Sequence, residues 1–339
     1  MYLNDKKTDK YLYYWLITMF ILVSSIIVVG GLTRLTDSGL SITEWELFKG
    51  FLPPLSKEDW SNYFSLYKQI PEYKLQNYDM NIDEFKIIFW WEWAHRLLGR
   101  IIGVFFLVPL IFFSIKKGIN KTKMLIFIFM LICLQGFLGW FMVTSGLVNR
   151  VDVSHFRLSL HLTTAFIILS LILWQILKFK KLNNEDKHYI RYNLPSVFLF
   201  IIFLQIIFGA FVSGMDAGKI YNTWPMMGNN YFPDDNIFFN LFKITALSEP
   251  SLVQFIHRNL AYLILFVFLV ILFIVINKKL YKFYKITKLL GLILFIQIFL
   301  GILTLINGAQ IFLASMHQLS SIFLISFSVY LLFLNKKIN

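Results

Sequence analysis

The sequence changes character at Trp90-Trp91-Glu92-Trp93-Ala94-His95-Arg96-Leu97-Leu98-Gly99-Arg100, where a polar segment ends and a long apolar run begins. A carboxylate, a histidine and two arginines thus enter a segment whose other residues suit a lipid bilayer. Ionisable groups inside membrane helices are costly and usually functional. Glu92 and His95 are three residues apart, which places them on one face of a helix. The stretch predicts a membrane helix that carries a functional site.

The composition of the whole chain supports the same class. Of its 339 residues, 58% are hydrophobic and 15% are charged, whereas a soluble domain has about a quarter charged residues. We predict an all-α integral membrane protein with eight transmembrane helices, because apolar runs of about 20 residues recur along the chain. Cys133, the only cysteine, lies in such a run and is expected to be a small buried hydrophobe. The predicted spans are 11–32, 92–114, 123–143, 156–177, 194–213, 253–276, 287–306 and 313–334.

The distribution of charge predicts the orientation. The net charge of +13 does not indicate nucleic-acid binding, because the lysines are in short loops between apolar runs. Loops rich in lysine and arginine usually face the cytoplasm, so both termini are predicted to be cytoplasmic and the two long loops to be outside. His188, in one basic loop, is expected to be solvated. The basic residues of these loops are Lys116, Lys117, Lys121 and Lys123, then Lys178, Lys180, Lys181, Lys187 and Arg191, then Lys278, Lys279, Lys282, Lys285 and Lys288, then Lys336 and Lys337.

The chain also repeats itself. Gly30, Asp37, Gly39 and Trp45 recur after 179 residues as Gly209, Asp216, Gly218 and Trp224, and Gln135, Gly139 and Gly146 recur after 162 residues as Gln297, Gly301 and Gly308. An even number of spans returns the chain to the same side, so the repeat predicts two pseudo-symmetric four-helix bundles in parallel orientation. We place the halves at 1–178, with a long outer loop at 33–91, and at 179–339. Gly99 and Gly103 are expected to allow close helix approach.

Four histidines occupy related positions in the two halves. His95 and His161 lie on the second and fourth spans, and His257 and His317 lie on the sixth and eighth. A lone histidine on an apolar helix is more often a hydrogen-bonded core residue, but chance does not explain the repeated placement. A zinc or copper site is disfavoured, because no ligating cysteine cluster or His-x-x-His spacing occurs. Two histidines from facing helices suit the axial positions of a haem iron. We predict one haem site per half, near the outer face; His155 has no counterpart and is not assigned to iron.

The residues beside these histidines differ between the halves. Arg96 and Arg258 each follow a histidine and are predicted to contact haem propionates, the alternative being an extension toward lipid headgroups. Glu92 in the first half is replaced by Gln254 in the second. A buried carboxylate is costly unless it is used, so the first half is predicted to do chemistry and the second to carry electrons. The alternative is that Glu92 is interfacial and wet.

At these residues the chain resembles the haem A synthase family of cytochrome oxidase assembly enzymes, in its proteobacterial and mitochondrial branch. The resemblance covers nearly all eight spans. It is carried by Gly30-Gly31-Leu32-Thr33-Arg34-Leu35-Thr36, Ser38-Gly39-Leu40-Ser41, Glu92-Trp93-Ala94-His95-Arg96, Asn222-Thr223-Trp224-Pro225 and Gln254-Phe255-Ile256-His257-Arg258.

The resemblance implies oxidation of the C8 methyl of haem O to a formyl group, which gives haem A for cytochrome c oxidase. It implies that His95 and His161 bind the substrate haem O, that Glu92 is catalytic, and that a cofactor haem b lies between His257 and His317. Some family members have a cysteine pair in the first outer loop, and this chain has none, so no redox role for such a pair is transferred.

Two other functions compete with the synthase. A membrane b-type cytochrome that only transfers electrons would not need Glu92. A transporter would place its charges near the middle of the bilayer, whereas these lie toward helix ends. The expected partners are haem O, a haem O synthase, an electron donor and membrane lipid. The expected location is the bacterial plasma membrane, because no Arg- and Ser-rich presequence precedes the first span. Homo-oligomerisation is left open.

Overall fold

A computed structural model describes residues 2–46, 49–148, 150–179 and 189–336, which exclude His188 and several predicted cytoplasmic lysines. Within these ranges the regular structure is helical, apart from one isolated bridge between Met227 and Asn230. The α-helices are α1 (Tyr2–Leu35), α2 (Lys57–Tyr67), α3 (Pro71–Leu75), α4 (Ile82–Lys117), α5 (Ile119–Val143), α6 (His155–Leu177), α7 (Leu194–Gly214), α8 (Pro250–Asn277), α9 (Tyr281–Ile306) and α10 (Ile311–Asn335). Short 3₁₀ helices occur at Lys49–Phe51, Ala217–Lys219, Phe238–Phe242 and Ile244–Ser248.

Eight of the described helices, α1 and α4 to α10, are long and apolar enough to cross a membrane. The predicted all-helical class and the number of spans are therefore confirmed. The prediction was least accurate at α4, which begins at Ile82 rather than near residue 92. Asn81 caps this helix by accepting hydrogen bonds from the Asp83 and Glu84 backbone N–H groups, and the Glu84 carboxylate accepts from the Asn81 N–H in return. Glu92 therefore lies almost three turns inside the helix instead of at its start.

Two other expectations about single residues were wrong. Cys133 is exposed rather than buried, because most of the surface of α5 faces away from the rest of the protein. Gly103 has open space where a Cβ atom would be, so it does not mediate close helix approach. Gly99 does lie against a neighbour, since a Cβ atom there would be 3.6 Å from Ile26 of α1.

The chain forms two compact units, Met1–Leu169 and Ser170–Asn339, and the division falls within α6. In the first unit α4 packs between α1 and α5. The Trp15 indole N–H donates to the Phe105 carbonyl at 3.1 Å and links α1 to α4. In the second unit α7 packs on α8 and α10, and α9 packs on α8 and α10. Each unit therefore assembles several long helices whose facing side chains can build a site.

The first long loop, residues 36–81, has a hydrophobic core of its own. The core joins the loop, its helix α2, the first turns of α4 and the segment before α6. Its buried residues are Leu40, Ile42, Phe64, Tyr67, Ile70, Phe85, Ile88, Phe89 and Val153. Helix α2 starts with a capping box between Ser56 and Asp59, and α3 starts at Pro71, whose fixed φ suits the first helical position. The loop is therefore a packed cap on the first turns of α4.

Candidate functional site

Helices α4 and α6 bring His95 and His161 face to face. Their ring centroids are 6.5 Å apart, and the rings are inclined at 69°. Two imidazole nitrogens that bind one metal from opposite sides, at about 2.0–2.1 Å each, place the ring centroids about 6 Å apart. Both residues are half-buried, and the buried Nδ1 atom of each has no hydrogen-bond partner among the described residues. The pair therefore fits the axial ligation of a haem iron.

A glycine supports each histidine of this pair. A Cβ atom on Gly30 of α1 would lie 2.7 Å from Cε1 of His95, which is closer than carbon atoms approach. A Cβ atom on Gly139 of α5 would lie 3.1 Å from Cε1 of His161. Helices α1 and α5 thus hold the two imidazoles in place through close backbone approach, and a larger residue at either glycine would displace the ring.

The second unit contains the same arrangement. Gly209 of α7 faces His257 of α8, with the built Cβ atom 3.1 Å from the ring Cε1 atom. Gly301 of α9 faces His317 of α10 at 2.9 Å. These four glycines are among those that repeat in the sequence, at the offsets of 179 and 162 residues. Their repetition is explained by contact with the histidines.

The histidines of the second unit have polar partners that the first pair lacks. Nδ1 of His317 donates to the Gln297 carbonyl at 3.1 Å, and this bond leaves Nε2 as the nitrogen with a lone pair for a metal. The Gln297 side-chain amide lies 3.3 Å from both nitrogens of that ring. The amide of Gln205 lies 3.3 Å from Nε2 of His257. The second pair is therefore more firmly oriented than the first.

Glu92 is buried, with 2% of its surface exposed, and four donors surround it. The Ser41 hydroxyl and the Ile42 backbone N–H donate to Oε2 at 2.7 and 2.8 Å. Arg96 donates to Oε1 through Nε at 3.0 Å and Nη2 at 2.6 Å. Donors of this number, two of them charged, suit an ionised carboxylate. Burial rules out the alternative of a wet interfacial residue.

The matching amide in the second unit has the opposite bonding pattern. The Gln254 side-chain N–H₂ donates to the carbonyl groups of Ala217 at 2.9 Å and Tyr221 at 3.2 Å. Its oxygen accepts a weak hydrogen bond from Arg258 at 3.3 Å. The loop of the second unit thus presents carbonyl groups, where the loop of the first unit presents donors to Glu92. Each loop therefore supplies the hydrogen-bonding groups that its buried side chain requires.

The two arginines beside the histidines point toward the loops. Arg96 donates to the carbonyl groups of Ile42 at 2.7 Å and Glu44 at 3.1 Å. Arg258 donates to the carbonyl groups of Tyr221 and Thr223, each at 2.9 Å. Neither arginine extends away from the protein, so the lipid-headgroup alternative does not hold. Contact with a propionate remains a prediction for both.

Several residues of the site were not predicted. Arg100, one turn beyond Arg96, donates to the carbonyl groups of Gly50 at 2.9 Å and Glu46 at 2.8 Å. Ser41 occurs in a motif of the sequence, but nothing there indicated that it bonds to Glu92. Glu72 is a second buried carboxyl group, in α3; its sequence context, Pro71-Glu72-Tyr73, is that of an ordinary helix start.

The remaining histidine, His155, is the first residue of α6 and is buried, with its ring 4.1 Å from the Phe156 ring. In the part of the chain that the structure describes, no three His, Cys, Asp or Glu side chains form a group that could hold a metal ion. The facing rings of His95 and His161 offer a metal two protein ligands, which is the number of axial positions of a haem iron.

Comparisons of the sequence with a family model and with individual proteins indicate the same family. The family model described as "Cytochrome oxidase assembly protein" matches residues 13–329. The heme A synthase of Pelagibacter ubique (strain HTCC1062) is 50% identical over 344 residues, which cover 99% of this chain and 99% of the relative. The heme A synthases of Rickettsia felis and Rickettsia prowazekii are 42% and 41% identical, each over 95% of this chain and 97% of the relative. These matches confirm the resemblance seen in the sequence motifs, and the chain belongs to the cytochrome oxidase assembly family that includes the heme A synthases.

Proposed function

We propose that this protein is a haem A synthase, a membrane enzyme that oxidises the C8 methyl of haem O to a formyl group and so provides haem A for cytochrome c oxidase. The observation that supports this reaction most directly is Glu92, a buried carboxylate one helical turn from a histidine of one pair. The other pair has Gln254 at that place. The full-length similarity to heme A synthases agrees with this assignment.

The first unit holds the substrate, and the second holds the cofactor. His95 and His161 bind the iron of haem O, and His257 and His317 bind the iron of haem b. Haem b supplies one-electron transfer when it is bound. The glycines behind the four imidazoles keep the rings in place. The hydrogen bond from His317 to the Gln297 carbonyl fixes the orientation of the His317 ring, as suits a cofactor that stays bound. Arg96 and Arg258 already donate hydrogen bonds to carbonyl groups of the loops. Each would contact a propionate through its remaining N–H groups.

Glu92 acts on the substrate methyl group. Conversion of a methyl to a formyl group is a four-electron oxidation, balanced with dioxygen as the oxidant as –CH3 + O2 → –CHO + H2O. Because two C–H hydrogens are removed, the site needs a group that accepts protons or stabilises positive charge at that carbon. Arg96, Ser41 and the Ile42 N–H hold the Glu92 carboxylate in one orientation. Because Glu92 is buried, its charge is screened by water less than a surface charge would be.

The protein lies in the bacterial plasma membrane, with both termini cytoplasmic and both haem sites near the outer face. The described basic residues between α4 and α5, and those between α8 and α9, support this orientation. The two units are pseudo-symmetric halves, since glycine, histidine and arginine have matching contacts in each. A haem O synthase and an electron donor are its partners. A cytochrome that only transfers electrons is disfavoured, because it would give Glu92 no use.

The test replaces Glu92 in cells that also express a haem O synthase. In Glu92→Gln and Glu92→Ala variants, haem O should accumulate while the haem spectrum of the purified protein persists, because the iron ligands are unchanged. Extracted haems are separated by chromatography. Glu58→Gln, an exposed carboxylate in the first long loop, is the matched control and should make haem A normally. Normal haem A production by both Glu92 variants would exclude the assigned role, and no haem A from the wild type would favour the cytochrome.

A further inference from the structure

The second long loop, residues 215–249, exposes a group of large apolar side chains close to the start of α8. Five such residues lie within residues 237–244, and between 59% and 86% of the surface of each is exposed. A contiguous apolar patch of this kind usually marks a surface that contacts another molecule or a membrane. We call residues 237–244 the apolar ridge. Its exposed apolar residues are Ile237, Phe238, Phe239, Phe242 and Ile244.

The polar side chains of the same segment are directed inward. The Asn236 amide donates at 2.9 Å to the hydroxyl of Ser251, a buried residue in the first turn of α8. The Asn240 amide donates to the Asn236 side-chain oxygen at 3.1 Å. A loop in water has the opposite arrangement, with its apolar residues inside and its amides outside. The apolar ridge therefore suits apolar surroundings.

The length of α8 places the start of this helix at one boundary of the membrane. The helix spans Pro250–Asn277 and is followed directly by Lys278 and Lys279, and lysines beside a span usually lie at the membrane surface. The hydrocarbon core of a bilayer, about 30 Å thick, takes about 20 residues of helix. Counted from the lysine end, the opposite boundary of the core falls at about residue 258. The turn of α8 before that residue therefore lies at the level of the lipid headgroups.

The second long loop packs against α8 at this level. The Phe232 ring lies 5.0 Å from the ring of Phe255, and the Tyr231 hydroxyl donates to the Asn259 side chain at 2.7 Å. The Phe238 ring of the apolar ridge lies 5.9 Å from the Phe232 ring. The apolar ridge is thus connected by ring contacts to the part of α8 that lies among the headgroups.

The face of α8 that carries the loop continues as an exposed apolar surface. One turn after Asn259, the Tyr262 hydroxyl accepts a hydrogen bond from the indole N–H of the loop residue Trp224 at 3.1 Å. Phe266 and Phe273 continue the same face at helical spacing, and they are 64% and 68% exposed. Because α8 is long and apolar enough to cross the membrane, this exposed surface faces lipid. The apolar ridge lies at the loop end of that surface.

We propose that the apolar ridge inserts into the bilayer at the boundary between the headgroups and the acyl chains, and that phospholipid is its binding partner. Apolar side chains of an interfacial segment are stabilised by burial at this depth. Lys243 is exposed within the ridge, so its ammonium group can reach the lipid phosphates while its stem stays among apolar side chains. The contact anchors the loop that also bonds to Gln254 and Arg258, and it is separate from the oxidation of haem O.

Fluorescence quenching measures the depth of the ridge. In a Cys133→Ser background, which removes the only cysteine, Phe239→Cys is labelled with a polarity-sensitive fluorophore, and the full chain is reconstituted in vesicles of phosphatidylethanolamine and phosphatidylglycerol. The matched controls are Asn229→Cys, at an exposed polar position of the same loop, and Phe266→Cys, on the lipid-facing side of α8. The low-spin haem spectrum checks that each variant is folded, and Ile244→Cys replaces Phe239→Cys if that variant loses the spectrum.

The label at position 239 should be quenched by a lipid nitroxide near the headgroup. Its quenching constant for aqueous iodide should be at least about fivefold lower than that of the label at position 229. The label at position 266 should respond most to a nitroxide deep in the acyl chains. Iodide quenching at position 239 as strong as at position 229 would overturn the proposal, because the ridge would then face water.

A second copy of the chain is the main alternative occupant of this surface. A bifunctional thiol reagent, applied to membranes from expressing cells, should not link Phe239→Cys chains to each other. Cross-linked dimers at position 239 but not at position 229, together with weak quenching by the lipid nitroxide, would show that protein covers the ridge. That result would also overturn the proposal.

Hydrogen exchange tests whether the bilayer holds the loop in place. The backbone N–H groups of Asn240, Lys243 and Ala246 donate to carbonyl groups of the ridge. In the Phe239→Ser/Phe242→Ser variant in the same vesicles, these groups should exchange at least about tenfold faster than in the wild type, whereas Phe239→Leu/Phe242→Leu should keep the wild-type rate. Equal exchange in the serine variant and the wild type would refute the anchoring role. These measurements do not depend on haem A formation, so they can fail while the proposed function holds.

Discussion

The contact between Gly30 and His95 allows a sharp test of the first histidine pair. In the Gly30→Ala variant the new Cβ atom would lie 2.7 Å from Cε1 and 3.3 Å from Nδ1 of His95. Ordinary carbon contacts begin at about 3.5 Å, so the imidazole must move by about 0.8 Å. The α1 backbone gives the ring no space on that side. The substitution therefore acts on the position of the ligand.

The size of the effect follows from the tolerance of metal ligands. Bond lengths in metal sites vary by about 0.2 Å, which is much less than the required displacement. Replacing a residue that orients a ligand typically costs 10- to 100-fold in affinity for the metal. We expect a loss of this size in haem O affinity at the first pair, and an unchanged spectrum of the haem at His257 and His317.

The assay measures haem O and haem b per protein after purification, together with the reduced-minus-oxidised spectrum. Gly136→Ala on α5 and Gly103→Ala on α4 are matched controls, because nothing lies within 4 Å of a Cβ atom at either position. An alanine there should even stabilise the helix by about 0.5–1 kcal/mol. If Gly30→Ala binds haem O as tightly as these controls, His95 is not the ligand that the geometry indicates.

Three further predictions follow from the contacts around the two sites. Ser41→Ala removes a donor to the buried Glu92 carboxylate, which should cost about 1.5–3 kcal/mol and slow haem A formation with haem content intact; an unchanged rate would show that Ser41 does not position Glu92. His317→Ala should lose the low-spin haem b spectrum first, and loss of haem O alone would mean that the two units are assigned the wrong way round. Glu72→Gln should change the pH dependence of stability. Because the pKa of Glu72 rises from 4.5 to about 8 on folding, the folded state keeps a proton that the unfolded state has released, so stability falls as pH rises over this range, by at most about 4–5 kcal/mol. Thermal unfolding of the detergent-solubilised protein at pH 5 and pH 9 should show this loss in the wild type and in Glu58→Gln, and equal loss in Glu72→Gln would contradict it.

Much of the candidate site could be inferred from patterns that are local in sequence. Apolar runs of sufficient length predict spans, because a helix must satisfy its own backbone hydrogen bonds in lipid. The repeat indicated which histidines correspond in the two halves, since His95 and His257 are each followed by an arginine. The difference between Glu92 and Gln254 was visible as a single change within a repeated motif.

The hydrogen bonds that surround Glu92 could not be inferred from the sequence. Ser41 and Ile42 donate to Glu92 from about 50 positions away along the chain, and no spacing rule connects them. The helical extension of α4 was missed because its first turns are polar and aromatic, although the Asn81 cap and Glu84 are local signals. No sequence pattern predicts that Glu72 is buried, because its burial depends on how the first long loop packs.

The sequence by itself determined the class of the protein, the eight spans, the paired histidines and the one carboxylate without an acidic counterpart. These follow from hydrophobicity, helical spacing and repetition, which act over a few turns of chain. Only the tertiary structure decided that the rings of His95 and His161 face each other, that glycines on other helices support each imidazole, and that Ser41 and Ile42 donate hydrogen bonds to Glu92. Such properties depend on which distant segments come into contact, and burial and proton affinity arise only once they do.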